Sequence, residues 1–306
     1  MALFLDILTK VTLPIITLVA AGYAMQGRLK LDIGTLNRVQ VYVVMPCFLV
    51  HFLASAKQPI SSVWPVFYFG AVMFLLLIPI GWLTALIFRQ RASLGPMMGL
   101  ATAYANVGFF GIPVTLLAFG PDYLIHQSVL TALMSILVCT VGVWLLAPAG
   151  EGGGWAKLRI AFETPLIPSV LLGLSLRGLE VELPTVVGQP LQFLGSIFTP
   201  LALYTLGAQV AASKVLKVEW LPQALALVLK FLIAPALTWW VCRFMEFPRD
   251  VADVLVVAAA TPVGVLVTIF AAEYRHEPEF IATAVVVSTA LSPLFVTGWI
   301  LLTRIY

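Results

Sequence analysis

The 306-residue chain is 61% hydrophobic and only 10% charged, with a mean hydropathy of +1.04. A soluble fold of that length cannot hide so much apolar surface, so the composition excludes a soluble enzyme and points to an all-α polytopic membrane protein in a lipid bilayer. The net charge of +3 matters only through where the basic residues fall, and nothing in it calls for a nucleic-acid partner.

Ten apolar segments each approach the roughly 20 residues that a helix needs to cross about 30 Å of hydrocarbon. They run near 6–25, 36–55, 62–88, 95–119, 123–147, 162–177, 191–212, 220–243, 251–273 and 279–303. MALFLDILTK, ahead of and into the first, has an acid where a signal peptide has its basic region, and no cleavage site ends its apolar run. The connections are short. The longest is APAGEGGGWAKLRIAFET, whose glycine run reads as a flexible linker over 148–161 between a first half, 1–147, and a second, 162–306. Cys47, Cys139 and Cys242 lie in apolar runs without disulfide or metal spacing, and read as small buried hydrophobes; no cofactor is expected.

Arg28, Lys30, Arg38, Arg89, Arg91, Lys157, Arg159, Lys214, Lys217 and Arg275 fall on one side of the expected membrane. Lys10, Lys57, Arg177, Arg243, Arg249 and Arg304 fall on the other. Ten against six places the first set in the cytoplasm and both termini outside, in a plasma membrane or bacterial inner membrane. Trp82, Trp144, Trp239, Trp240 and Trp299 near segment ends read as interfacial anchors.

The prolines repeat. Pro14, Pro46, Pro79 and Pro113 are followed by Pro165, Pro200, Pro235 and Pro262 at offsets of 151, 154, 156 and 149. Each half then holds five spans, an odd number, so the second half enters the membrane upside down. This is the inverted-repeat plan of secondary transporters, and it directs attention to spans 4 and 9. NVGFFGIP, Asn106–Pro113, and ATPVG around Pro262 spoil those two helices at matching places. Pro113 cannot donate to the carbonyl of Phe109, and Pro262 leaves that of Ala258 without its donor. Irregular backbone at membrane depth is tolerated only where it is buried in protein or lines a cavity. Crossing breaks would bring two half-helix N-termini together, a site that favours an anion. Asn106, Thr115, Thr261 and Thr268 are the polar side chains available to line it.

At these residues the chain resembles the auxin efflux carrier family. NVGFFGIP is similar to the family's fourth-span motif, and AATPVGVLVTIFAAEYRHEPEFIATAV to its ninth and tenth spans at Pro262, Gly264, Phe270, Ala271, Glu273, Tyr274, Pro278, Thr283 and Ala284. LNRVQVYVVMPCFLVHF resembles the second span at Asn37, Arg38, Pro46, His51 and Phe52, and LKFLIAPAL the eighth at Lys230 and Pro235. The long hydrophilic central loop of many plant members is absent. The resemblance implies broken, crossing helices 4 and 9, a scaffold of spans 1, 2, 6 and 7 that forms a homodimer, and a transport domain of spans 3–5 and 8–10 that moves as an elevator. It places the substrate beside Gly111, Ile112, Pro113 and Val114 and beside Thr261, Pro262, Val263 and Gly264. These would face Pro46, Cys47, Val50 and His51 of the second span.

Lys230 lies ten residues after Trp220 and thirteen before Arg243, about 15 Å deep at a rise of about 1.5 Å per residue. It reads either as a charge that draws a carboxylate or as a donor to carbonyls freed by the breaks. His51 reads either as a satisfied interior histidine or as a proton carrier. None of the fourteen acids lies near the middle of a span. A cavity with a lysine, two helix N-termini and no acids suits an anion. The expected function is secondary transport of small organic carboxylates, malonate-like diacids first and an indole carboxylate such as auxin as the alternative. A non-transporting anion receptor is the other class; an intramembrane enzyme lacks its motifs.

Overall fold

The computed structural model describes residues 2–146, 165–213 and 219–305. The expected linker 148–161 with Lys157 and Arg159, and Lys214 and Lys217, lie outside the described residues. Within them the fold is all helix, with one isolated β-bridge. In chain order the helices are α1 (Phe4–Leu29), α2 (Ile33–Ala54), α3 (Ile60–Ile87), α4 (Leu94–Ala103) and α5 (Val107–Phe119). Then come α6 (Pro121–Leu146), α7 (Leu166–Gly178), α8 (Thr185–Ala212) and α9 (Trp220–Phe244). The last are α10 (Arg249–Ala259), α11 (Leu266–Glu273) and α12 (Pro278–Arg304). Seven of these, α1, α2, α3, α6, α8, α9 and α12, are long and apolar enough to cross a membrane. The protein is an all-α integral membrane protein. α8 starts at Thr185 and not near 191, because Pro184 is extended (φ −54°, ψ 143°) and marks the entry to the helix.

The repeated prolines have a local cause and effect. π-helical turns occupy Leu8–Thr12, Gln40–Val44, Val107–Gly111 and Leu229–Ile233. Pro14, Pro46, Pro113 and Pro235 each stand two residues beyond one of them. A proline has no N–H and its ring crowds the carbonyl four residues back, so a widened turn just ahead lets the helix continue through it. Pro79 sits inside the unbroken α3.

Glycines set the closest helix contacts. A Cβ on Gly22 of α1 would stand 1.8 Å from the Tyr204 carbonyl oxygen of α8, and one on Gly207 of α8 would stand 1.9 Å from that of Val19. The two backbones therefore touch without side chains between them. α3 and α4 do the same at Gly81, facing the Met98 carbonyl, and at Gly99, facing that of Ile78. α2 packs on α7 and α8, where Gly173 meets Leu53 and Gly195 meets the backbone of Phe48. α9 packs on α10, while α10 and α11 pack on α12. Hydroxyls of Thr12 on α1 and Thr297 on α12 meet at 2.6 Å. Thr12 also reaches the carbonyl of Ile7 at 3.4 Å, and Thr297 that of Pro293 at 2.5 Å.

One ionic knot lies beyond the helix ends. The Arg91 guanidinium grips Glu277 with two bonds, 2.7 and 2.6 Å, and donates a third, 2.6 Å, to Glu219. Ser93 donates to Glu277 at 2.5 Å. The Arg91 bonds hold the Glu277 carboxyl below its usual titration range, against a smaller opposing effect of burial. The knot ties the turn between α3 and α4 to the start of α9 and the turn before α12.

Candidate functional site: two broken helices joined backbone to backbone

The first break lies between α4 and α5. Tyr104 turns extended (φ −91°, ψ 102°) and Asn106 stands at φ −76°, ψ 61° before the chain re-enters helix at Val107. The second lies between α10 and α11, at residues 260–265. The two meet. Ala105 and Val263 form an antiparallel bridge, with Asn106 N–H donating to the Pro262 carbonyl at 2.7 Å and Gly264 N–H to the Tyr104 carbonyl at 3.0 Å. Each break thus supplies acceptors and donors that the other lacks, which settles these buried polar groups without water. Gly264 permits the approach: a Cβ there would lie 2.2 Å from the Tyr104 ring.

Pro113 was expected to mark the first break, and it does not. Its π-turn carries the helix through it, and the break comes two turns earlier, around Ala105. Gly111, Ile112, Pro113 and Val114 are buried residues within α5. Thr261, Pro262, Val263 and Gly264 lie in the second break itself, all buried.

Both breaks are braced by the helix that follows. Gln127 on α6, fully buried, donates to the Val107 carbonyl at 2.6 Å and accepts from the Thr115 hydroxyl at 3.2 Å. Thr131 adds a 3.2 Å bond to the same carbonyl. Gly111 is the clearance for Gln127, since a Cβ there would stand 2.4 Å from its Nε2. On the other side, Ser288 of α12 accepts from Val263 N–H at 3.0 Å. Sequence reasoning missed Gln127, Thr131, Ser288 and Tyr104; the one available signal was polar side chains in mid-span on the helix after each break.

What remains unpaired faces an anion's needs. Asn106 is 5% exposed, and its side-chain Nδ2 has no hydrogen-bond partner. Among the described residues no acceptor outside the helix serves the backbone N–H groups of Gly108 and Phe109 at the start of α5, nor those of Leu266 and Val267 at the start of α11. Helix starts carry about half a positive charge, concentrated on such groups. Thr268 spends its hydroxyl on the Val265 carbonyl. A cavity of about 300 Å³ reaches the α11 start at Val265 and Thr268. Its other walls are mostly apolar, among them Leu206 and Val210 of α8 and Val285 and Val286 of α12, with Gln209 of α8, Ser213 just past its end and Thr289 of α12 as the polar side chains. That volume suits a small molecule.

The second span approaches the first break through residues other than those expected. A Cβ on Gly108 would lie 3.6 Å from the Met45 methyl. Phe48 packs on Phe198 (centroids 5.0 Å apart), which stacks on Phe109 at 6.3 Å. Pro46 and Cys47 are half-buried and Val50 is buried, with Cys47 backbone against Gly195 of α8. His51 lies at a different cavity, of about 540 Å³, beside Arg177, Glu180 and Glu182. Lys230 is 1% exposed and lines a third, of about 40 Å³, with Ala105, Val107 and Ala258. His126 of α6, 1% exposed and within 2.9 Å of the Ser62 hydroxyl, is buried where His51 is only half-buried.

The family described as "Membrane transport protein" matches residues 6–300. The chain belongs to this family. The resemblance to the auxin efflux carriers points to the same family. The transporter is 26% identical to an uncharacterised transporter of Methanocaldococcus jannaschii, over 95% of this chain and 98% of that one. It is 26% identical to another from Methanothermobacter thermautotrophicus, over 95% and 97%. It is 25% identical to a Rhizobium meliloti protein named "Putative malonate transporter", over 97% and 96%. The chain is a membrane transporter and not an enzyme.

Proposed function

We propose that this transporter is a secondary carrier of small organic carboxylate anions, with malonate-like dicarboxylates as the first substrates to try. The observation that carries the reading is the joined pair of breaks. It presents the bare N–H groups of two helix starts, together with the uncommitted amide of Asn106, in a region without acidic side chains. Its substrate-contacting residues in this reading are Asn106 and Thr261 to Gly264, with Met45 and Phe48 of α2 facing them and Gly111 to Val114 as the buried turns that support the α5 start. The name of the Rhizobium meliloti relative supports malonate as the starting point.

In this reading the chain has ten spans in two inverted five-span repeats, with α4–α5 and α10–α11 as the broken fourth and ninth. α1, α2, α7 and α8 form a scaffold, held by the close backbone approach of α1 and α8 at Gly22 and Gly207, and a pair of scaffolds makes a homodimer. The remaining helices form a transport domain that carries the paired breaks across the membrane as an elevator. The 300 Å³ cavity opens between the two groups on the side that holds Arg28, Lys30 and Arg275. With that side cytoplasmic and both termini outside, this reading takes the cavity as the inward-facing access to the site. An indole carboxylate is the second reading, favoured by the Phe48, Phe198 and Phe109 rings beside the first break.

Counterflow in proteoliposomes tests the function. Vesicles loaded with unlabelled malonate should accumulate labelled malonate, and indole acetate in place of malonate separates the two substrate readings. Saturable binding without exchange would leave a receptor and refute the carrier.

A further inference from the structure

The third cavity lies behind the paired breaks. Lys230 stands on the π-turn Leu229–Ile233 of α9 and enters a space walled by α3 (Gly70, Met73, Phe74), the first break (Ala105, Val107), α6 (Leu130, Met134) and α10 (Ala258). Every wall belongs to the set of helices read above as the transport domain. Met45, Phe48 and Phe198, which mark the side turned towards α2 and α8, are not among them. Its ammonium is therefore placed to act on the breaks from the rear and not to touch a substrate held in front.

No group in that space settles a charge. Among the described residues Lys230 has neither hydrogen bond nor ion pair. The one other polar wall, Thr238, spends its hydroxyl on the Ala234 carbonyl at 2.8 Å. The walls from α3, α6, α10 and the first break include no titratable side chain. Tyr104 turns its ring to Gly264, and Cys139 lies further along α6. Asp253 on α10 has Arg249, Asp250 and Arg304 as its charged neighbours, and on α9 itself Arg243 lies over Trp239. A permanent unpaired charge in such a place is the expensive arrangement, whereas an amine beside a cavity with room for a water is not.

We propose that Lys230 is a proton-binding site of the transport cycle, loaded when a carboxylate occupies the paired breaks and unloaded when it leaves. The proposal rests on the carrier reading above and names its coupling ion. The amine takes a proton from water to become an ammonium, and the negative substrate on the far side of the same backbone bridge supplies the missing counter-charge. By reciprocity, substrate tightens the proton and the proton tightens substrate, and couplings of this kind are about 5–150-fold. A monoanion then crosses with one proton and no net charge, and a dianion crosses with one net negative charge.

The test uses purified carrier in proteoliposomes with a pH dye inside. The wild type should acidify the lumen when malonate enters down its gradient, and its KM for malonate should rise about tenfold between pH 6 and pH 9. Lys230→Met and Lys230→Gln should lose both the proton movement and the pH dependence of KM, and at every pH should exchange malonate with the raised KM that the wild type shows at pH 9. Lys230→Arg, which cannot shed its charge, should also transport without moving protons. Proton movement that persists in Lys230→Met, or a wild type whose KM does not change with pH, overturns the proposal. A wild type that exchanges no carboxylate refutes the carrier reading instead. In that event the proton site is tested by thermal unfolding: a lysine that sheds its proton on burial makes the wild type gain stability over Lys230→Met from pH 6 to pH 9, and a constant difference overturns it.

Discussion

Replacing Gly264 by alanine probes the joined breaks at their tightest point. The new methyl would stand 2.2 and 2.4 Å from two carbons of the Tyr104 ring, more than an ångström inside ordinary contact. Tyr104 is 6% exposed, and so has no open space to move into. Overpacking of this kind costs about 1–3 kcal/mol. If the breaks separate to relieve it, the bonds from Gly264 N–H to Tyr104 and from Asn106 N–H to Pro262 go as well, at about 0.5–1.5 kcal/mol each. Gly264→Ala should therefore lose about 2–6 kcal/mol of local stability, lower the unfolding temperature in detergent and abolish carboxylate counterflow. Shrinking the ring in the Gly264→Ala, Tyr104→Leu double variant should recover much of the unfolding temperature, giving a coupling of about 1–3 kcal/mol in the double-mutant cycle. A single variant as stable and active as wild type, or additive effects in the cycle, would refute the argument that glycine is there to let the two backbones meet.

Asn106→Leu removes a buried amide nitrogen that bonds to nothing in the empty protein. The unfolding temperature should hold or rise, while the KM for the transported carboxylate rises at least about tenfold; loss of stability with transport intact would show the side chain to be a brace. At the ionic knot, Arg91 holds the Glu277 carboxyl below its ordinary value of 4.5, so its stabilisation is present above about pH 4.5 and fades as pH falls through the lowered value. Glu277→Gln should be destabilised at pH 7 by less than about 2 kcal/mol, because Arg91 is 44% exposed and solvent screens the pair. Unfolding curves of the two proteins should converge under acid; a gap that widens below pH 4.5 would contradict the assignment.

Much of the plan was legible in the chain. Hydropathy located the apolar segments, and two irregular stretches, NVGFFGIP and ATPVG, identified the helices that break. The exact position of the first break was not legible. Pro113 looked like its cause, but a π-turn two residues upstream absorbs a proline, and nothing in the residue types distinguishes that outcome from a kink. Pro14, Pro46 and Pro235 carry the same ambiguity and the same solution. The side of α2 that meets the first break was also hidden: its apolar face has no strong period, and which residues turn inward depends on the partner helix. Met45 and Phe48 approach through the glycine and aromatic contacts of α5 and α8, while His51, a turn further on, looks into a separate cavity. Gln127 and Ser288 were unreadable for a different reason. A polar residue in mid-span signals an unmet need somewhere nearby, but the carbonyl of Val107 and the N–H of Val263 become needy only once the breaks exist.

The Thr12–Thr297 contact bears on friction. Both hydroxyls belong to helices that the elevator reading sets in relative motion, and each lies within 2.5 to 3.4 Å of a carbonyl of its own helix. Parting the pair therefore strands neither proton in hydrocarbon, since each hydroxyl swivels back to its own backbone. Such a seam grips at rest and yields without a toll, a bearing surface made from two threonines.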